Sequence, residues 1–65
     1  MGKLLLRIYR IVEDKGGLQG RLTLALKTGI SQQQAAVIRD KAEIVKRVRK
    51  TATEILGQDI DDFLK

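Results

Sequence analysis

Leu24-Ala25-Leu26-Lys27-Thr28-Gly29-Ile30-Ser31-Gln32-Gln33-Gln34 contains a helix end, a glycine corner and a new helix start in one short run. Thr28-Gly29 has the form of a helix C-terminus, with Gly29 taking the left-handed cap that side chains with a Cβ avoid. Ser31 can accept a hydrogen bond from the first free amide groups of the next helix, so it serves as an N-cap. The corner therefore predicts two helices joined by a tight turn, the local pattern of an αα-hairpin.

Working outward, the segment before the corner reads as a helix from Leu18 to Thr28, with Leu22, Ala25 and Leu26 facing inward. Its alternation over Leu22–Leu26 also permits a strand, but a lone strand has no pairing partner. Gly16-Gly17 separates it from a first helix over Lys3–Asp14. There Leu4, Leu5, Ile8, Ile11 and Val12 share a face at the 3.6-residue period, and Arg7 and Arg10 lie outside it. After the corner, periodicity predicts one long helix over Gln32–Leu56, with Ala35, Ile38, Ala42, Val45, Val48, Ala52, Ile55 and Leu56 on one side and Val37 and Ile44 widening the stripe. Arg39, Lys46 and Lys50 form a cationic line opposite that stripe. Gly57 ends the helix, and Ile60, Phe63 and Leu64 predict a last short turn that folds back, capped by Asp59. The expected fold is all-α: residues 1–65 as one small domain, a bundle of three main helices plus a short C-terminal helical turn.

Composition bounds the function. The chain has 65 residues, 43% of them hydrophobic, with Tyr9 and Phe63 its only aromatics. This places it near the lower size limit for a self-sufficient core. It has no cysteine and no histidine, so a disulfide is impossible and the usual zinc and haem ligands are missing. No cofactor and no metal are expected. A small aliphatic core without staple or metal often gains stability from a second subunit. The sequence therefore predicts self-association, as a homodimer, with Val45, Val48, Ile55 and Leu56 nearest that interface or the central core.

No run approaches the eighteen or so apolar residues of a membrane span. Met1-Gly2-Lys3-Leu4-Leu5-Leu6 superficially suggests a signal peptide or an acylated glycine. Arg7 and Arg10 interrupt the apolar run, and position 6 is Leu where N-myristoylation wants Ser or Thr. A cytoplasmic protein without membrane attachment is expected.

The charge is unevenly placed. Residues 1–50 carry twelve Lys/Arg against four Asp/Glu, whereas residues 51–65 carry one Lys against four acids, and the whole has a formal charge of +5. A basic body with an acidic end suits a polyanion partner, and equally suits docking of one subunit's acidic end onto another's basic face.

Catalysis is not expected, because no nucleophile–base arrangement exists and a chain this small leaves little room for a substrate pocket. Asp59, Asp61 and Asp62 lack the glycine and closing glutamate of a calcium loop. Gly16-Gly17-Leu18-Gln19-Gly20 lacks the Lys-Ser/Thr pair of a phosphate-binding loop and follows a helix instead of a strand.

From Arg21 to Asp40 the sequence resembles the repressor-type helix-turn-helix family. Ala25 falls at the small residue of the helix crossing, Gly29 at the turn glycine, Ile30 just after the turn and Ile38 at a buried position of the second helix. The resemblance covers about a third of the chain, and Ala35 stands where the family usually has a branched aliphatic residue. It implies that Ser31, Gln32 and Gln33 open a recognition helix, where a glutamine amide can pair bidentately with adenine. Arg39, Lys46, Arg47, Arg49 and Lys50 would then hold phosphates of duplex DNA or another polyanion without reading sequence. The competing expectation is a helical interaction or self-association module with no nucleic-acid role, its cations forming a solvated surface.

Overall fold

The computed structural model describes residues 3–64, so the Met1-Gly2 start lies outside the described residues. In chain order it has helices α1 (Leu4–Thr28), α2 (Gln32–Val37), α3 (Ala42–Leu56) and α4 (Asp61–Leu64). Every regular element among the described residues is helical, which agrees with the all-α expectation. The count differs: two long and two short helices replace three main ones and a turn.

Helix α1 begins without a side-chain cap from its own N-cap residue, Lys3. Its first amide groups donate instead to the Asp40 carboxylate, Leu4 N–H at 2.9 Å and Leu5 N–H at 3.3 Å. The Lys3 ammonium donates to the Ala36 carbonyl. A negative charge at a helix N-terminus satisfies orphan donors and complements the helix dipole. Here it comes from a residue distant in sequence. That explains the main correction to the sequence reading: the helix expected over Gln32–Leu56 is broken. Helix α2 stops at Val37, Ile38 is extended at φ −81° and ψ 158°, and α3 starts only at Ala42. Ile38–Lys41 contains no glycine or proline to announce the break. It is stabilised by what Asp40 does for α1.

The second difference lies inside α1. Gly17, at φ 72° and ψ −172°, bends what is otherwise a 25-residue helix. That region of backbone space is essentially restricted to glycine. The expected separation of the segments Lys3–Asp14 and Leu18–Thr28 therefore survives as a kink and not as a loop. The N-terminal half, Leu4–Gly16, buries Leu5, Ile8, Tyr9 and Val12 completely and leaves Arg7 and Arg10 exposed. These join Leu24, Ala35, Val48, Ala52 and Ile60 in one core.

Helix α3 lies along the N-terminal half of α1 in the same direction. Its start adjoins Leu4 through Asp40, and at its end the Leu56 side chain would lie 3.9 Å from a Cβ placed on Gly16. Gly57 caps α3 and the chain turns. Asp59 Oδ1 accepts from Asp61 N–H at 3.0 Å, the cap expected for this turn, and Ile60 is buried beneath it. Helix α4 packs against α1: Arg7 donates to the Leu64 carbonyl at 3.3 Å, and the Lys15 ammonium stands 5.7 Å from the centre of the Phe63 ring.

Candidate functional site

The C-terminal half of α1 buries Gly20, Leu24 and Thr28. Spaced by four, these three fall on one side of the helix. Gly20 is there because the helix passes close to its neighbours: a Cβ would meet the Val12 carbonyl oxygen at 3.3 Å and the Ile55 side chain at 3.7 Å. Thr28 is there because its hydroxyl is occupied. It lies 3.0 Å from the Tyr9 hydroxyl, donates to the Leu24 carbonyl at 2.7 Å and accepts from Ile30 N–H at 3.3 Å. Tyr9 also donates to the Ile30 carbonyl. This buried network joins the two halves of α1 and the corner after it. Burial pushes the Tyr9 phenol above its ordinary pKa, and the Thr28 hydrogen bond opposes part of that shift.

The inward face thus consists of a glycine, a threonine and one leucine, and the remaining leucines point away. Leu18 is 56% exposed, Leu22 50% and Leu26 85%. Leu22 and Leu26, expected to face inward, are corrected to the outer side, and Ala25 is half-buried between the two faces. Two residues of helix amount to about 200° of rotation, so Leu24 inside dictates Leu22 and Leu26 outside. Leu18 belonged to no predicted stripe. The signal that could have found this face is the line Gly20–Leu24–Thr28, since a helix approaching its neighbours closely places its small residue at the contact.

Beside the leucine line lies a notch of about 200 Å³ between α1 and the start of α2, bounded by Arg21, Leu22, Ala25, Ser31, Gln32 and Gln33. Its walls are held. Arg21 is 3.1 Å from the Glu13 carboxylate and donates to Gln32 Oε1 at 2.7 Å. Ser31 and Gln34 cap α2 reciprocally: Gln34 N–H donates to Ser31 Oγ at 3.2 Å, and Ser31 N–H to Gln34 Oε1 at 2.9 Å. Of the residues expected to open a recognition helix, Ser31 is therefore engaged as a cap, Gln32 is held by Arg21 and Gln33 is exposed. The helix they open has six residues, ending well before the basic cluster.

The five expected phosphate-holding cations do not form one group. Arg39 sits in the break between α2 and α3, off the line in which it was placed with Lys46 and Lys50. Lys46, Arg47 and Lys50 are exposed on α3. Arg49 is half-buried and paired with Asp61. A groove of about 300 Å³ beside Lys46, Lys50, Glu54 and Asp59 carries both signs of charge. Val48 is fully buried in this chain's own core, and Val45, Ile55 and Leu56 pack half-buried against it. The predicted helix stripe misplaced Ala42 and Val37, which are both exposed, Val37 by 75%: Val37 lies about 200° round α2 from the buried Ala35, and the break before α3 shifts the phase of Ala42.

Among the described residues no cluster of His, Cys, Asp and Glu could hold a metal ion, and no helix is long and apolar enough to cross a membrane. The chain matches no protein-family model, and no curated protein or solved structure is significantly similar to it.

Proposed function

We propose that this chain is a non-catalytic helical binding module whose working surface is the leucine face of α1, and that it acts by docking protein. One observation carries this reading: the C-terminal half of α1 buries Gly20 and Thr28 while exposing Leu18, Leu22 and Leu26. A single exposed leucine is ordinary, but three in line on one helix, beside a notch with a partly apolar floor, form the kind of patch that marks interaction sites. Burying them on a partner returns about 25 cal/mol for each Å² of apolar surface removed from water.

A second reading, binding of duplex DNA or another polyanion, draws support from Lys46, Arg47 and Lys50 exposed together on α3 and from the +5 charge. It ranks below the first because the cap and the Arg21 contact already occupy Ser31 and Gln32, which sequence-specific readout would need.

Backbone amide spectra separate the two. The probes are a synthetic amphipathic helical peptide with leucine at every fourth position and, separately, random-sequence duplex DNA at low and moderate salt. The docking reading expects the peptide to move the amides of Leu18–Leu26 and Gln32–Gln33 saturably, with DNA moving at most the α3 cations and only at low salt. Saturable DNA shifts at Ser31–Gln34 that persist at moderate salt, with none from the peptide, would reverse the ranking.

A further inference from the structure

We propose that the acidic segment Asp59–Asp62 is a built-in competitor for the phosphate backbone of nucleic acid, held against α3 so that a polyanion gains Arg49 only by displacing the Asp61 carboxylate. This regulation rests on the polyanion reading of the α3 cations given above.

The fold brings the two ends of the uneven charge together. Arg49 and Lys50 follow Lys46 by three and four residues, so the three share one side of α3. The groove of about 300 Å³ along that side is lined by these cations and by Glu54, Asp59 and Asp61. Three positive charges meet three negative ones, and a chain of formal charge +5 presents no net charge there. Two of the three acids come from the C-terminal segment.

Anchoring makes that segment a competitor and not a loose tail. Ile60 is buried, and its N–H donates at 3.1 Å to Thr53 Oγ1, one turn along α3 from Arg49 and Lys50. Asp59 Oδ1 accepts from Asp61 N–H at 3.0 Å, and Arg7 and Lys15 hold the far end through the Leu64 carbonyl and the Phe63 ring. The Asp61 carboxylate is thereby set against Arg49, which donates to it. A group tethered in this way competes at an effective concentration of about millimolar. A guanidinium can grip phosphate bidentately where an ammonium is a point charge, so the cation occupied is the best suited of the three. Both side chains of the pair are still partly exposed, at 41% and 45%. An exposed pair is weak, so a multivalent polyanion can displace it.

Anisotropy titrations of labelled random-sequence duplex DNA with the full chain, from about 20 mM to about 200 mM salt, test this. They compare wild type with Asp61→Asn and Asp14→Asn. Asp14 is exposed on α1 and lies outside the groove, so its variant makes the same change in net charge elsewhere. Asp61→Asn should tighten binding about three- to tenfold at low salt. It should also steepen log affinity against log salt by about 0.9, the increment for one added phosphate contact. Asp14→Asn should change affinity by less than about twofold and leave the slope alone. In wild type, DNA at low salt should move the Arg49 side-chain N–H and the amides of Asp59–Asp62 together. Equal effects of the two variants, or none, overturn the competitor. Shifts at Lys46 and Lys50 that leave Asp59–Asp62 unmoved overturn it as well, even if Asp61→Asn fails to fold. No binding by wild type or by Asp61→Asn at the lowest salt ends the polyanion reading itself, and the competitor with it.

Discussion

The two halves of α1 are built from similar residues and use them in opposite ways. Leu4–Gly16 turns Leu5, Ile8, Tyr9 and Val12 into the core and its arginines into water. Beyond the bend at Gly17, the helix buries Gly20, Leu24 and Thr28 and keeps Leu18, Leu22 and Leu26 outside. Apolar content alone therefore does not say which face of a helix is structural. The first half contributes to stability through transfer of aliphatic groups from water. The second half contributes through one buried leucine, Leu24, close backbone approach at Gly20 and one buried hydrogen-bond network, which leaves Leu18, Leu22 and Leu26 available for association.

Leucine truncation gives the largest contrast. Leu24→Ala should cost about 2–5 kcal/mol, as expected for a buried leucine, whereas Leu22→Ala should change stability by no more than about 0.5 kcal/mol. Chemical denaturation in dilute solution measures both, and equal losses would break the distinction between the faces. Gly17→Ala tests the bend that separates the halves. A Cβ there meets nothing within 4 Å, so the expected loss of about 1–3 kcal/mol is backbone strain alone. A neutral result would mean that the helix straightens at no cost.

Tyr9→Phe tests the bond between the halves. It keeps the ring and removes the hydroxyl, leaving Thr28 its bond to Leu24 and depriving the Ile30 carbonyl of its Tyr9 donor; a loss of about 1–2 kcal/mol is expected. The same tyrosine gives a pH signature. Its folded pKa is raised above the ordinary value near 10, so the folded state favours the neutral phenol. That contribution is fully present below pH 10 and is lost as pH rises through the folded pKa. The difference in stability between wild type and Tyr9→Phe should therefore shrink above about pH 10. A constant difference would place Tyr9 outside the network.

The smallest expected effect is at Leu26. Leu26→Gln should leave stability in dilute solution within about 0.5 kcal/mol of wild type. A larger loss there would mean that the residue is structural and that the outer face is not reserved for association.

The sequence by itself determined the helical class, the corner at Gly29, the Ser31 cap and the inward face of the first half of α1. Each rests on local chemistry: a glycine at positive φ, a hydroxyl within reach of a free amide, or a period that groups five aliphatics, of which Leu5, Ile8 and Val12 are fully buried and Leu4 and Ile11 pack half-buried beside them. Leu22-Thr23-Leu24-Ala25-Leu26 was ambiguous, because alternating leucines present an apolar group to either side of a helix. Only packing chose between them, since Gly20 permits close approach to Val12 and Thr28 meets Tyr9. The same holds for Ile38–Lys41, whose residues are compatible with helix. The break there is decided by the Asp40 carboxylate meeting the amide groups at the start of α1, a contact that exists only after the chain has folded.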